Sequence, residues 1–299
     1  MSNTTSASLN TTSTLYIQRV SGALGAEVKG IRLSEDLSVN VISAIEEAAY
    51  KHKVLFFRNQ NHLNDSSQER FAARFGNLIS HPTIPHETNT QAVFAVDSKQ
   101  GGTADSWHAD FTFIPNYPKF SILRAVIIPE VGGSTLWANT AKAYATLPSA
   151  LKLFANALWG IHSNIYDYAT HHVSISEKEK HYRKIFRSSI YRTLHPFVRV
   201  HPVTGEHSLL LGHFLNYFES ISLADSRKII DLFNTHATQV ENTIRWNWQP
   251  GDVALWDNQT TIHRAVNDFG NAERVLRRST IEGDIPTSLD GRQSQALLP

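Results

Sequence analysis

The chain has no cysteine and only one methionine among 299 residues. The missing thiols exclude disulfides, zinc fingers, iron–sulfur clusters and a cysteine nucleophile, so any metal or catalytic chemistry falls to imidazole, carboxylate, hydroxyl and amine groups. Excess charge is also missing, since 28 Lys plus Arg stand against 27 Asp plus Glu for a net +1. A nucleic-acid-binding protein would show a clustered basic face, and without one no nucleic-acid partner is expected. Long apolar runs are absent too. Stretches such as Val54–Phe57 and Ala125–Ile128 fall far short of the roughly 20 residues of a membrane helix, so no membrane span is expected. What remains is an ordinary globular composition, with 41% hydrophobic residues and 15 histidines, long enough to bury a substantial core unaided.

Residues 1–14 are rich in Ser, Thr and Asn, with neither a basic start nor an apolar segment. They read as a disordered tail rather than a signal peptide, which places the protein in the cytoplasm. From 15 to 299 no repeat or Pro/Gly/Ser linker divides the chain, and a single domain is expected. Leu15–Val20 alternates, and Gly22, Gly25 and Gly30 punctuate two short extended runs, predicting a strand pair. Val39–Lys51 has helical spacing, Val54–Arg58 reads as a buried strand, and Ser66–Phe75 reads as a helix capped by Asn64 or Asp65 and closed by Gly76.

Beyond Val93 short β-rich runs dominate: Val93–Val96, Phe120–Ile128, Ser134–Ala138, Leu209–Leu211, Val253–Trp256 and Val275–Ile281. Helical patches at Ala141–Leu147, Pro148–Ala157 and Asp225–His236 interrupt them without strict strand–helix alternation. These runs predict a mixed β/α fold, a barrel or jelly roll with flanking helices. The polar stretch Tyr166–Ser189 is either a solvated helix or a lid over a site.

The chemistry begins at Trp107-His108-Ala109-Asp110. On an extended strand, a His and an acid two apart share a face and can act as two metal ligands. With 15 histidines and 27 acids such a pair also arises by chance, and an ion pair is the plain alternative. His263, just beyond the apolar run Val253–Trp256, supplies a third ligand. Two His and one carboxylate form a facial triad that holds Fe(II) and leaves positions open for a chelating cosubstrate and oxygen. Arg274, Leu276 and Arg278 share a face if Arg274–Thr280 is a strand. Guanidinium groups turned inward need anions, and their planar fork suits carboxylate or sulfate; turned outward, they are ordinary surface charges.

His108-x-Asp110, the distal His263 after Trp256-Asp257-Asn258, and Arg274 eleven residues later together resemble the taurine dioxygenase superfamily of Fe(II)/2-oxoglutarate-dependent oxygenases. The resemblance runs from about Val20 to Ile281. Lys53–Arg58, His81-Pro82, Gly132–Thr140 and Val198–Glu206 are especially similar to the alkylsulfatase branch. The resemblance implies a double-stranded β-helix (jelly roll) with flanking helices. It implies that His108, Asp110 and His263 bind iron, that Thr135 and Arg274 hold the distal carboxylate of 2-oxoglutarate, and that His81 and Arg278 grip the substrate anion. Iron, 2-oxoglutarate and O2 are then the cofactor and cosubstrates. The expected reaction is hydroxylation of the carbon bearing the sulfate ester of an alkyl sulfate, giving aldehyde, sulfate, succinate and CO2. Relatives are often homo-oligomers, so self-association is expected as well.

Two positions depart from the pattern. Ala109 stands where relatives commonly have Thr, and its side chain should point away from the iron. Phe111 stands where smaller residues are usual, and is expected to bound the substrate pocket and shift its selectivity. A taurine or alkylsulfonate oxygenase, a phenoxy-acid oxygenase, and a metal-dependent hydrolase using zinc at the same triad stay open as alternatives. His195, His201, His207 and His213 read as structural or surface histidines, and Trp107, Trp246 and Trp248 as strand core.

Overall fold

The computed structural model describes residues 15–100, 104–165 and 177–297. The largest sheet has seven strands in the order β1 (Tyr16–Arg19), β2 (Ala26–Lys29), β3 (Val54–Phe57), β13 (Val253–Asp257), β5 (Phe120–Ile127), β15 (Val275–Ile281) and β4 (Val93–Asp97). A three-stranded sheet runs β12 (Thr243–Trp246), β6 (Thr135–Asn139), β14 (Thr261–Ala265). A four-stranded sheet runs β11 (Leu215–Phe218), β7 (Trp159–Ser163), β8 (Arg192–Pro196), β16 (Gln295–Leu297), and β9 (Val198–Val200) pairs with β10 (His207–Leu209). Among the described strands, β2 and β3 pair in parallel and the others antiparallel. The helices among the described residues are α1 (Val39–His52), α2 (Asp65–Ala72), α3 (Thr140–Thr146), α4 (Ser149–Ala157), α5 (Glu177–Phe186) and α6 (Leu223–Ala237).

The unbroken apolar runs of β3 and β13 are explained by cover on both faces. Leu55, Phe57, Val253 and Leu255 pack with Ile42, Ile45, Ala48 and Ala49 of α1. Their alternates Val54, Phe56, Ala254 and Trp256 pack inward with Trp137 and Trp246, as the two-residue period of a strand requires. Ser38 caps α1 by accepting a hydrogen bond from Val41 N. Asn64 and Ser67 form a reciprocal capping box at α2, satisfying donors that a helix start leaves without partners.

The strand expected at Leu209–Leu211 instead covers His207–Leu209. Leu210 N still bonds Phe197 O in register at 2.8 Å, and Leu211 N then folds back onto Leu209 O at 3.1 Å, which ends the β9–β10 ladder just before Gly212. Residues 1–14, and 166–176 of the expected lid, lie outside the described residues. Residues 177–186 of that stretch form α5. No helix among the described residues is long and apolar enough to cross a membrane.

Candidate active site

A two-residue bridge joins the first and last metal-ligand candidates. His108 N donates to His263 O at 2.9 Å and His263 N donates to His108 O at 2.7 Å, which places both imidazoles on one side of β14. Gly212, at φ 114°, packs behind them, and a Cβ there would lie 2.8 Å from the His108 Cα. Only glycine combines that conformation with that approach. Asp110 completes the group. Its Oδ1 lies 3.8 Å from His108 Nε2 and 3.7 Å from His263 Nε2, and one ligand atom from each residue falls within a 4.8 Å cluster.

All three side chains are buried. Burial depresses both histidines: the His108 pKa falls well below its ordinary value, helped by His263, and that of His263 falls to about 4 against the pull of Asp110. Burial alone would raise Asp110, but Arg278, His263 and His108 together hold it below its ordinary value. Two neutral imidazoles and one ionised carboxylate thus converge on one point, a donor set that fits a divalent first-row ion such as Fe(II). Non-haem enzymes that leave one face of the metal open to a chelating cosubstrate use such a set.

The triad has a supporting layer that local sequence patterns did not disclose. Ser121 Oγ donates to Asp110 Oδ2 at 2.7 Å, Asn258 Nδ2 donates to Ser121 Oγ at 2.7 Å, and Trp256 Nε1 donates to Asn258 Oδ1 at 2.9 Å. His108 Nδ1 bonds the Ser106 carbonyl at 2.7 Å. Since a carbonyl only accepts, Nδ1 carries the proton and Nε2 carries the lone pair that can ligate a metal. Ala109 turns away into an apolar cluster with Ala138, Leu211 and Ile262, as an extended segment requires.

Arg274 and Thr135 also meet. Arg274 Nη2 donates to Thr135 Oγ1 at 3.2 Å, its Nε donates to Gly133 O at 2.8 Å, and Trp248 Nε1 donates to Thr135 Oγ1 at 3.0 Å. With two donors already on its oxygen, the Thr135 hydroxyl is free to direct its own hydrogen elsewhere. Burial lowers Arg274 to about 10, with Asp268 acting against it. Among the described residues no carboxylate forms a salt bridge with this guanidinium, so the pair is suited to an incoming one.

A cavity of about 670 Å³ opens beside the triad, lined by His81, Phe94, Val96, Tyr182, Ile185 and Arg278 among others. Arg278 lies over the Phe94 ring at 5.0 Å and bonds Asp110 through Nη1. His81 Nδ1 accepts from Thr83 N at 3.1 Å and Ile84 N at 2.9 Å, so the one proton of the neutral ring sits on Nε2. Burial and then Arg278 push the His81 pKa down to about 3, which keeps the ring neutral. Phe111 does not line this cavity. It is fully buried behind His81, ring edge to face, with centroids 4.6 Å apart.

Asp110 does not pair with Arg124, the nearby basic residue in sequence: Arg124 bonds Gln68 and Asp65 on the outer side of the sheet. His201 faces Asp257 at 3.5 Å and His195 bonds Ser294 and Thr112, both away from the triad.

The chain that carries this buried His-Asp-His triad is similar to known oxygenases over most of its length. The profile of the taurine catabolism dioxygenase TauD, TfdA family matches residues 17–280. The chain belongs to that family. It is 48% identical over 282 residues to an alpha-ketoglutarate-dependent sulfate ester dioxygenase of Pseudomonas putida, covering 94% of each chain. It is 46% identical over 291 residues to an alkylsulfatase of Acinetobacter baylyi, covering 97% of this chain and 92% of the relative. The crystal structure of a taurine dioxygenase from Burkholderia xenovorans superposes with a TM-score of 0.80 at 33% identity, over 95% of both chains.

Proposed function

We propose that this protein is an Fe(II)- and 2-oxoglutarate-dependent dioxygenase that cleaves alkyl sulfates by hydroxylating the carbon that bears the ester oxygen. The observation that carries the reading is the placement of Arg278, which lines a cavity of mixed apolar and polar walls beside His81 while touching the metal-ligand candidate Asp110. An anion held there sets its attached carbon next to the metal. Relatives named for sulfate ester and alkyl sulfate cleavage support the same substrate class. We read the facing sheets as a double-stranded β-helix and 15–299 as one catalytic domain.

His108, Asp110 and His263 would hold Fe(II), which with 2-oxoglutarate and O2 supplies the oxidant that removes hydrogen from the substrate carbon. Arg274 and Thr135 hold the far carboxylate of 2-oxoglutarate. Arg278 supplies a charged donor and His81 a neutral one to the sulfate, and the walls around Phe94, Val96, Tyr182 and Ile185 accept the alkyl chain and exclude water. The hydroxylated product, a 1-hydroxyalkyl sulfate, collapses by breaking its C–O(sulfate) bond. The hydroxyl proton is lost to solvent, leaving aldehyde and free sulfate, while 2-oxoglutarate leaves as succinate and CO2.

Purified protein incubated with Fe(II), ascorbate, O2, 2-oxoglutarate and hexyl sulfate should release one succinate per sulfate. Sulfite from taurine would assign a sulfonate substrate, and turnover of a phenoxy acid a carboxylate one. Sulfate released without O2 or 2-oxoglutarate would overturn the oxygenase reading in favour of hydrolysis.

A further inference from the structure

Immediately after Asp110 the backbone takes an unusual turn. Phe111 has φ 53°, the left-handed region that a bulky side chain seldom enters without being held there. The next two residues are tied down. Thr112 O accepts from His195 Nε2 at 2.7 Å, Thr112 Oγ1 lies 2.9 Å from His162 Nδ1, and Phe113 O accepts from Thr193 Oγ1 at 2.8 Å.

The three holding side chains come from one place. His162 pairs with Thr193 across β7 and β8, and Thr193 and His195, two apart on β8, share a face. Both imidazoles are fully buried and meet edge to face at 4.9 Å. The state of His195 follows from its partners: Nε2 must carry the proton given to the Thr112 carbonyl, and Nδ1 then accepts from Ser294 Oγ at 2.7 Å. His162 Nε2 is buried with no hydrogen-bond partner among the described residues. An apolar side chain would avoid that cost, so the imidazole is kept for its contact to Thr112.

The held residue has one consequence for the cavity. The Phe111 ring stands edge to face against His81, and Phe94 and Phe186 complete the enclosure at 5.4 and 5.5 Å. The turn after His81 fixes which nitrogen carries the proton, and the rings fix where that proton points. We infer that His162 and His195, acting through Thr112, are positioning residues that hold Phe111 in its left-handed conformation so that its ring braces His81 toward the substrate anion. The inference rests on the reading of His81 as a donor to the substrate.

Four variants of the full-length enzyme test it. Phe111→Gly adopts the same backbone without strain but lacks the ring, Thr112→Val keeps shape but loses the hydroxyl, His195→Leu loses the donor, and His195→Gln restores one. The first three should raise the KM for hexyl sulfate tenfold or more and release less than one sulfate per 2-oxoglutarate consumed. The KM for 2-oxoglutarate and the visible band of the anaerobic Fe(II)–2-oxoglutarate complex should not change, and His195→Gln should recover most of the coupling. A second readout needs no substrate. In metal-free protein labelled with ¹⁵N-histidine, His81 should show a single Nε2–H tautomer in the wild type and broadened or doubled signals in Phe111→Gly and Thr112→Val. Variants that lose thermal stability but keep substrate KM, coupling and the His81 signals would overturn the inference. Failure of the wild type to release sulfate would overturn the substrate reading instead, and the His81 signals would still decide the brace.

Discussion

Arg278 and Asp110 form one electrostatic unit at the floor of the cavity. The guanidinium keeps the carboxylate ionised for the metal, and the carboxylate gives the buried guanidinium a counter-ion. On the proposed function, substrate anchoring and metal binding share a charge pair. Arg278→Gln should lower kcat/KM for an alkyl sulfate by about a hundredfold, the loss of roughly 3 kcal/mol of charge-assisted hydrogen bonding. The KM for 2-oxoglutarate should stay within about threefold of the wild type if the two anion sites act separately.

Asp110→Asn removes the only negative charge from the ligand set and strands Arg278. Binding of Mn(II), followed by the loss of its free-ion resonance signal, should become undetectable at micromolar metal. The metal-free protein should lose about 3 kcal/mol of stability in urea, the cost of leaving one member of a buried pair. Retained metal affinity would place the ion elsewhere.

Arg274 is held by Gly133 O and Thr135 Oγ1 in a geometry that only a planar fork satisfies. Arg274→Met should raise the KM for 2-oxoglutarate a hundredfold or more with little change in substrate KM. Arg274→Lys should recover only part of the loss.

The hydrogen-bond chain from Trp256 through Asn258 and Ser121 orients Asp110 without touching the metal. Ser121→Ala should weaken metal affinity by about tenfold, within the range seen when ligand-orienting bonds are removed. Equilibrium dialysis with Fe(II) under argon measures it directly.

His81 and His195 are neutral when folded, each pushed from 6.5 down to about 3 chiefly by burial. The unfolded chain takes up a proton at each below pH 6.5, so their contribution is complete above that pH and is lost as pH falls toward 3. Between pH 7 and pH 5 the metal-free protein should lose about 2 kcal/mol per histidine. His195→Gln should reduce the proton uptake on unfolding at pH 5 by nearly one, as measured from the pH dependence of urea midpoints.

Features written in neighbouring residues were legible in the sequence. His108-x-Asp110 announced itself by spacing, α1 by its periodicity, and α2 by Asn64 at its start and Gly76 beyond it. Strands β7, β8 and β14 gave little sign of themselves because their sequences WGIHS, RTLHP and TIHRA carry polar groups at buried positions. His263 on β14 belongs to the triad, while His162, Thr193 and His195 on β7 and β8 tie down Thr112 and Phe113 just after Asp110, so these roles override the apolar pattern. Ser121 and His162 were invisible for another reason: Ser121 is tied to Asn258, 137 positions away, and His162 to Thr112, 50 positions away. No local period encodes such contacts. Phe111 was legible as unusual, but its conformation and its place behind His81 needed the folded chain.

Strand β15 and the residue just before it carry Arg274 and Arg278, the two arginines proposed to bind anions, four positions apart, between β5 and β4. At about 3.3 Å per residue the backbone spaces them by roughly 13 Å, and β15 is paired in continuous register with β4 on one side while a bulge interrupts its pairing with β5 between Val275 and Leu276 on the other. On the proposed roles of these arginines, the distance between the far carboxylate of the cosubstrate and the anionic head of the substrate is written into a covalent ruler. Change along this lineage can proceed by exchanging side chains around the ruler, but a single inserted or deleted residue between Arg274 and Arg278 would turn one of them outward and bring Arg277 in. New substrates must be accommodated in the cavity walls while the ruler keeps its length.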